Sequence, residues 1–364
     1  MPELTDRLQA ALGSGYRVEK ELGGGGMSRV FLAEEVRLGR KVVVKVLPPE
    51  MSMGVSVDRF EREIQLAAKL QHPHIVPLLT AGSSDDLLYY VMPFIEGESL
   101  RAKLGREGEL PVPEALRILR DVLDALAYAH GQQVVHRDIK PDNVLLSGKH
   151  ALVTDFGVAK AVADATRRQT LTSMGVALGT PLYMAPEQAA ADPHIDHRAD
   201  LYAAGATAYE MLCGRPPFPG VTPQAVLAAH LTDVPEPVTK HRTAVPDALN
   251  GLIMRCLEKK PADRWQRAED LVAQLEGMLT PTGGTTPVGT LPVISSGTAA
   301  AIERARPLRV AALFAASSTV VLLVVFAVVQ AIGLPDWVFL GAIALLASGC
   351  RSCCSRGTTS GSAR

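Results

Sequence analysis

The pattern of apolar and polar positions changes period along this chain. Arg17–Leu22, Val30–Glu34, Lys41–Leu47 and Leu87–Met92 read as strands, the third almost wholly valine. The fourth is expected to stop at Pro93, which has no N–H for a ladder. Two stretches follow the helical period instead. In Val57–Leu70, Phe60, Ala67 and Leu70 share one stripe. In Pro113–His130, Leu116, Leu119, Leu123, Leu126 and His130 share another. Shorter strand-like runs, Gln133–Val135, Val144–Leu146 and Ala151–Thr154, flank two polar loops. Residues 1–15 read as a short polar lead-in.

The last third has a different texture. Residues 279–309 form a Thr-, Pro- and Gly-rich linker closing on Arg304, Arg306 and Arg309. Residues 310–332 carry no charge and are long enough for a transmembrane helix, which needs roughly 20 apolar residues. The arginines before it place the preceding domain in the cytoplasm. Pro335-Asp336 breaks the run within 333–349, a second hydrophobic segment too short for a full span. It reads as the returning arm of a hairpin or an interfacial segment. Residues 350–364 are a Cys-, Ser- and Gly-rich tail.

Composition narrows this picture. A chain of 364 residues suggests two or three units. A net charge of -1 argues against nucleic acid as partner. Its five cysteines form no disulfide framework, which points to a reducing compartment. Cys350-x-x-Cys353 lacks a second ligand pair for zinc. The charges among Met1–Gln9 exclude a secretory signal peptide.

The candidate chemistry gathers between His136 and Gly157. His-Arg-Asp-Ile-Lys-Pro-Asp-Asn supplies Asp138, Lys140 and Asn143, and Asp-Phe-Gly follows with Asp155. Two carboxylates, an amide and an ammonium in so short a span call for a cation and a phosphate together. Upstream, Gly23-Gly24-Gly25-Gly26 lies between two strands, where backbone amides can wrap phosphate oxygens. Lys45 shares a strand face with Val43 and Leu47. Such a lysine calls for an anion, and Glu63, on the inward stripe of the following helix, is the expected ion-pair partner.

These motifs, in this order over residues 16–278, resemble the bacterial Hanks-type (eukaryotic-like) serine/threonine protein kinases. The glycine loop departs from the family pattern Gly-x-Gly-x-x-Gly-x-Val, with Gly23, Gly25 and Val30 in place but Ser28 at the third glycine. The resemblance implies an α+β, two-lobed fold, with a β-rich N-lobe near 16–93 and a helical C-lobe near 97–278. ATP would lie between them with Mg2+ or Mn2+. Leu22, Gly23, Gly25, Val30, Lys45, Glu63 and the hinge residues Met92, Phe94 and Ile95 would bind the nucleotide. Asp138, Lys140 and Asn143 would be catalytic, and Asn143 and Asp155 would hold the metal. Lys140 and Thr180 mark Ser/Thr acceptors. Thr170 and Thr172 are expected activation-loop phosphosites, read by Arg137. Asp200 would anchor the catalytic loop, and Arg264 would pair with Glu187. Implied partners are ATP, protein substrates, the membrane and a second copy of the chain. Two alternatives stand beside this. An ATP-binding adaptor without activity is disfavoured by the intact Lys45, Glu63, Asp138, Asn143 and Asp155. A small-molecule phosphotransferase is disfavoured by the long polar segment ending at Ala185-Pro186-Glu187.

Overall fold

The valine-rich strand becomes the centre of a five-stranded antiparallel sheet. The order is β1 (Tyr16–Gly25), β2 (Ser28–Glu35), β3 (Arg40–Leu47), β5 (Leu87–Pro93) and β4 (Thr80–Ser84). The period of two divides β3 between two cores. Val42, Val44 and Val46 are fully buried on one face with Phe31, Val91, Leu8 and Leu12. Leu47, with Val43 packed beside it, joins Phe60, Ile64, Tyr90 and Met92 on the other. Each of those valines contributes about 1.5–3 kcal/mol by leaving water.

The computed structural model describes residues 4–25, 28–47, 57–84, 87–156 and 181–279. The chain divides into a unit Met1–Thr282 and a second, Gly283–Arg364, which lies wholly outside the described residues. The linker, the 310–332 span and the 333–349 segment therefore fall outside the description. No helix among the described residues is long and apolar enough to cross a membrane.

Two expectations are corrected. The polar lead-in is a helix, α1 (Leu4–Leu12), whose Leu8 and Leu12 are buried against the sheet. Its Gln9 side chain donates to the Tyr16 carbonyl and accepts from the Val18 amide, which fixes it on β1. The Gln133–Val135 run is not a strand. Gln133 takes a positive φ of 62°, and the Gln133 and Val134 amides fold back onto His130 and Ala129 carbonyls. The segment is thus a helix exit that turns the chain into the first polar loop.

Helix α2 (Val57–Ala67) packs Phe60, Ile64 and Ala67 inward. A three-stranded sheet, β6 (Glu98–Ser99), β7 (Val144–Ser147) and β8 (His150–Val153), carries the two polar loops. Beneath it lie α3 (Leu100–Glu107), α4 (Val112–Gly131), α5 (Pro186–Ala189), α6 (Arg198–Cys213), α7 (Pro223–Thr232), α8 (Val238–His241), α9 (Asp247–Cys256) and α10 (Ala268–Leu279). Helix α6 is buried on all sides, as a helix without a polar face must be. A Cβ at Gly205 would lie 2.4 Å from Cys256 Cβ, so glycine is what lets α6 approach α9. The sheet lobe is tied to the helical lobe through residues 74–76. Val76 N–H donates to Val153 O, and Val153 N–H to His74 O, both at 2.9 Å.

Candidate active site

The glycine loop joins β1 to β2, with Gly23 opposite Val30 and Gly25 opposite Ser28. A Cβ on Gly24 would meet Ser28 O at 2.7 Å, so the tight hairpin requires glycine there. Val30 is half-buried and Leu22 is 45 % exposed near the tip. Ser28, at the third glycine position of the pattern, sits within β2.

Lys45 points from β3 into the cleft, and Tyr90 is its register partner on β5. The Lys45 ammonium binds Asp155 Oδ2 directly, with both side chains 14 % exposed. Tyr90 donates its hydroxyl to Asp155 Oδ1 at 2.8 Å. Lys45 thus meets Asp155 in the cleft. Asp155 adopts φ 68°, and its carboxylate meets both Lys45 and Tyr90 under the sheet. Glu63 sits half-buried on α2. Burial alone would push Asp155 up, but the Lys45 charge and the Lys45 and Tyr90 hydrogen bonds outweigh it and hold the carboxyl below its usual value. Burial and the Asp155 charge push the Tyr90 hydroxyl well above its ordinary value. Met92 is buried, with Thr154 Oγ1 3.3 Å from its sulfur, and it lines a small cavity with Tyr90, Asp155 and Phe156. Phe94 and Ile95 are half-buried as the chain leaves β5, and Phe94 N–H donates to Lys41 O.

The first polar loop is internally braced. Lys140 Nζ donates to Asp138 Oδ2 at 2.7 Å. Asn143 Nδ2 donates to Asp138 O at 2.7 Å and Oδ2 at 3.0 Å. His136 is fully buried, hydrogen-bonded through Nε2 to Thr154 O at 2.8 Å and edge-on to Phe156. Thr154 N–H donates to Asn143 O at 3.0 Å. These contacts hold the Asp138 loop and the Asp155 loop side by side.

The frame below is ionic and buried. Asp200, on α6, accepts the His136 amide at 2.8 Å, the Arg137 amide at 2.7 Å and His130 Nε2 at 2.8 Å. Burial would raise the Asp200 pKa, but these neighbours reverse the shift and lower it. Arg137 holds φ 70°, a strained geometry maintained by those bonds. Arg264, fully buried, binds Glu187 through two bonds of 2.7 Å and also donates to the Glu258, Lys259 and Arg198 carbonyls. Gln188 Nε2 donates to Arg137 O at 2.8 Å, joining α5 to the loop. Thr170, Thr172 and Thr180 lie outside the described residues.

Sequence reasoning missed Tyr90 and Gln188. A strand tyrosine opposite Lys45 could have flagged the first; nothing local marks the second. A further network joins Arg101 of α3, Glu210 of α6 and Tyr183, beside the Pro186 turn.

A β-rich lobe over a helical one, with Lys45 and Asp155 meeting in the cleft beside the Asp138 loop, is the two-lobed arrangement of a protein kinase domain. The chain belongs to the protein kinase family: the protein kinase domain model matches residues 16–274. Within it, the similarity is to bacterial Hanks-type kinases. The chain is 38 % identical over 280 residues to the serine/threonine-protein kinase PknB of Mycobacterium leprae, covering 75 % of this chain and 43 % of that one. It is 37 % identical over 286 residues to pkn3 of Myxococcus xanthus, covering 76 % and 52 %. It is 36 % identical over 263 residues to PrkC of Bacillus subtilis, covering 72 % and 40 %. The chain thus spans about half the length of these relatives or less. ATP and a divalent metal are the family's cofactors.

Proposed function

We propose that residues 16–278 are an active serine/threonine protein kinase, transferring the γ-phosphoryl of ATP to protein hydroxyls. One observation carries the reading: Lys45 and Asp155 meet beside a braced Asp138–Lys140–Asn143 loop. Phosphoryl transfer needs little more than positioning and charge neutralisation. In this reading Asp138 orients the acceptor hydroxyl and takes its proton. Lys140, already on Asp138, neutralises the transferring group. Lys45 would grip the nucleotide phosphates. Leu22, Gly23, Gly25 and Val30 would cover the nucleotide, and Met92, Phe94 and Ile95 would border its base. Glu63 would lie beside the phosphate-binding region.

The donor set fits Mg2+ or Mn2+. Asn143 spends its amide N–H groups on Asp138, which leaves Oδ1 as its donor to a cation, and Asp155 adds a carboxylate. Oxygen donors of this kind are what a hard dication takes. Bound there, the ion would neutralise the triphosphate.

Arg137 Nε is buried with no hydrogen-bond partner among the described residues. That supports a switch in which a phosphate on Thr170 or Thr172 docks on Arg137. Autophosphorylation would then bring two copies together. Thr180 would face Asp138 and Lys140 on the acceptor side. The uncharged 310–332 run supports a membrane anchor, and the arginines before it a cytoplasmic kinase domain. The test is phosphoamino-acid analysis after incubation with labelled ATP. Phosphoserine or phosphothreonine is expected; phosphotyrosine alone would contradict the acceptor assignment.

A further inference from the structure

Away from the cleft, three segments distant in sequence bring metal-binding groups to one point. His74 precedes β4, Asp121 lies on α4, and His150 opens β8. Their donor atoms all lie within 4.8 Å of one another. Asp121 Oδ2 is 3.6 Å from His74 Nδ1 and 3.9 Å from His150 Nδ1. The Ala151 carbonyl oxygen faces the same point, 2.9 Å from His74 Nδ1.

From this geometry we infer a site for a zinc-class transition-metal dication, held by His74, Asp121 and His150 with Ala151 O beside them. Two imidazoles and a carboxylate are a donor set that zinc takes at ~2.0–2.2 Å. A small inward shift of the three groups reaches those lengths. The outer shell is in place. Asp121 is buried, its Oδ1 is held by Arg120, and Oδ2 accepts the Ala151 amide at 3.0 Å. These bonds aim Oδ2 at the imidazoles, as outer-shell partners of metal ligands do. Coordination at His74 Nδ1 replaces the N–H donated to Ala151 O, and the ring proton moves to Nε2, so the imidazole binds as a neutral ligand. The ion has a way in, because His150 is 67 % exposed and borders an open cleft of about 510 Å³ with Gly148 and Lys149. His72, which pairs with Asp124 at 3.5 Å, lies next to His74, with ring centroids 5.7 Å apart.

The position gives the ion a structural role. His74 sits in the link that pairs with β8 and leads into β4 of the upper sheet. A metal there ties that link to α4 and the β7–β8 turn, so it clamps the junction of the lobes. None of this depends on phosphoryl transfer.

The test is Zn2+ binding to the untagged, metal-stripped full chain without nucleotide, measured by competition with a chromogenic chelator, against His150→Ala. His150 is exposed, so the variant should keep the parent's metal-free melting temperature; His150→Gln serves if it does not. The unmodified chain should bind one more equivalent of zinc than the variant, or bind it at least ~10–100-fold more tightly, the loss typical even of an outer-shell partner. Asp155 and the tail cysteines are common to both proteins and cancel in the difference. Equal stoichiometry and equal affinity in the two proteins would overturn the inference.

Discussion

Replacing Asp200 with asparagine changes one oxygen for one NH2 group at the base of the catalytic loop. In the parent, the carboxylate receives two backbone amides and His130 within 2.7–2.8 Å, from a fully buried position. Asparagine offers a single acceptor oxygen, so one amide faces an NH2 donor and loses its partner. Hydrogen bonds to a charged group contribute about 1.5–3 kcal/mol each. Breaking a buried ionic cluster by altering one member costs about 3–5 kcal/mol. With a urea slope of about 3 kcal/mol/M, the midpoint falls by about 1–1.7 M. The pH dependence gives a second signature. The Asp200 pKa is depressed in the fold, so its stabilisation is present above the ordinary carboxylate range and is lost as pH falls through the lower folded value. The parent-to-variant gap should therefore be constant near neutrality and close only in acid. Urea unfolding of both proteins at several pH values measures it. A gap under about 0.5 kcal/mol at neutral pH would refute the anchoring argument, since surface substitutions give as much.

Three further outcomes follow from the same geometry. His230 is buried between Tyr202 and the Leu182 carbonyl, and burial, then Lys259, lower its pKa from 6.5 to about 4. A depressed histidine stabilises the fold above its unfolded pKa, so the parent should lose on the order of 3 kcal/mol between pH 6.5 and about 4. His230→Gln should flatten that part of the profile, and an unchanged slope would exclude His230 as its source. Arg264→Met leaves Glu187 buried without its cation and should cost about 3–5 kcal/mol in chemical denaturation. A cost below 1 kcal/mol would show that water reaches Glu187. Tyr90→Phe removes one donor from Asp155, so the Asp155 carboxyl 13C titration should move to higher pH; no movement would mean that Lys45 alone sets its charge.

Much of the site was legible because its signals are local. The spacing of Asp138, Lys140, Asn143 and Asp155 lies in two short loops, and the strand period put Lys45 on the cleft side of β3. What resisted reading depends on contacts across the chain. Lys45 meets Asp155, which adopts a positive φ, and no residue count announces that contact. Helix α1 did carry a signal, Leu4, Leu8 and Leu12 at helical spacing, masked by the polar residues between them. Gln133–Val135 has strand-like composition, yet its amides are claimed by the end of α4. Local preference yielded there to a nearby helix terminus. The His74–Asp121–His150 cluster is invisible in sequence because each residue comes from a different element.

The central claim is that this cleft transfers phosphate. The direct measurement is single-turnover transfer from γ-labelled ATP by the full chain with Mg2+, beside Asp138→Asn and Lys45→Met. Label should appear on serine or threonine in the parent. It should fall by at least ~10²-fold in Asp138→Asn, the lower end of what a positioned proton acceptor contributes. A parent that binds ATP yet transfers no label, or an Asp138→Asn variant that transfers as fast as the parent, would contradict the account.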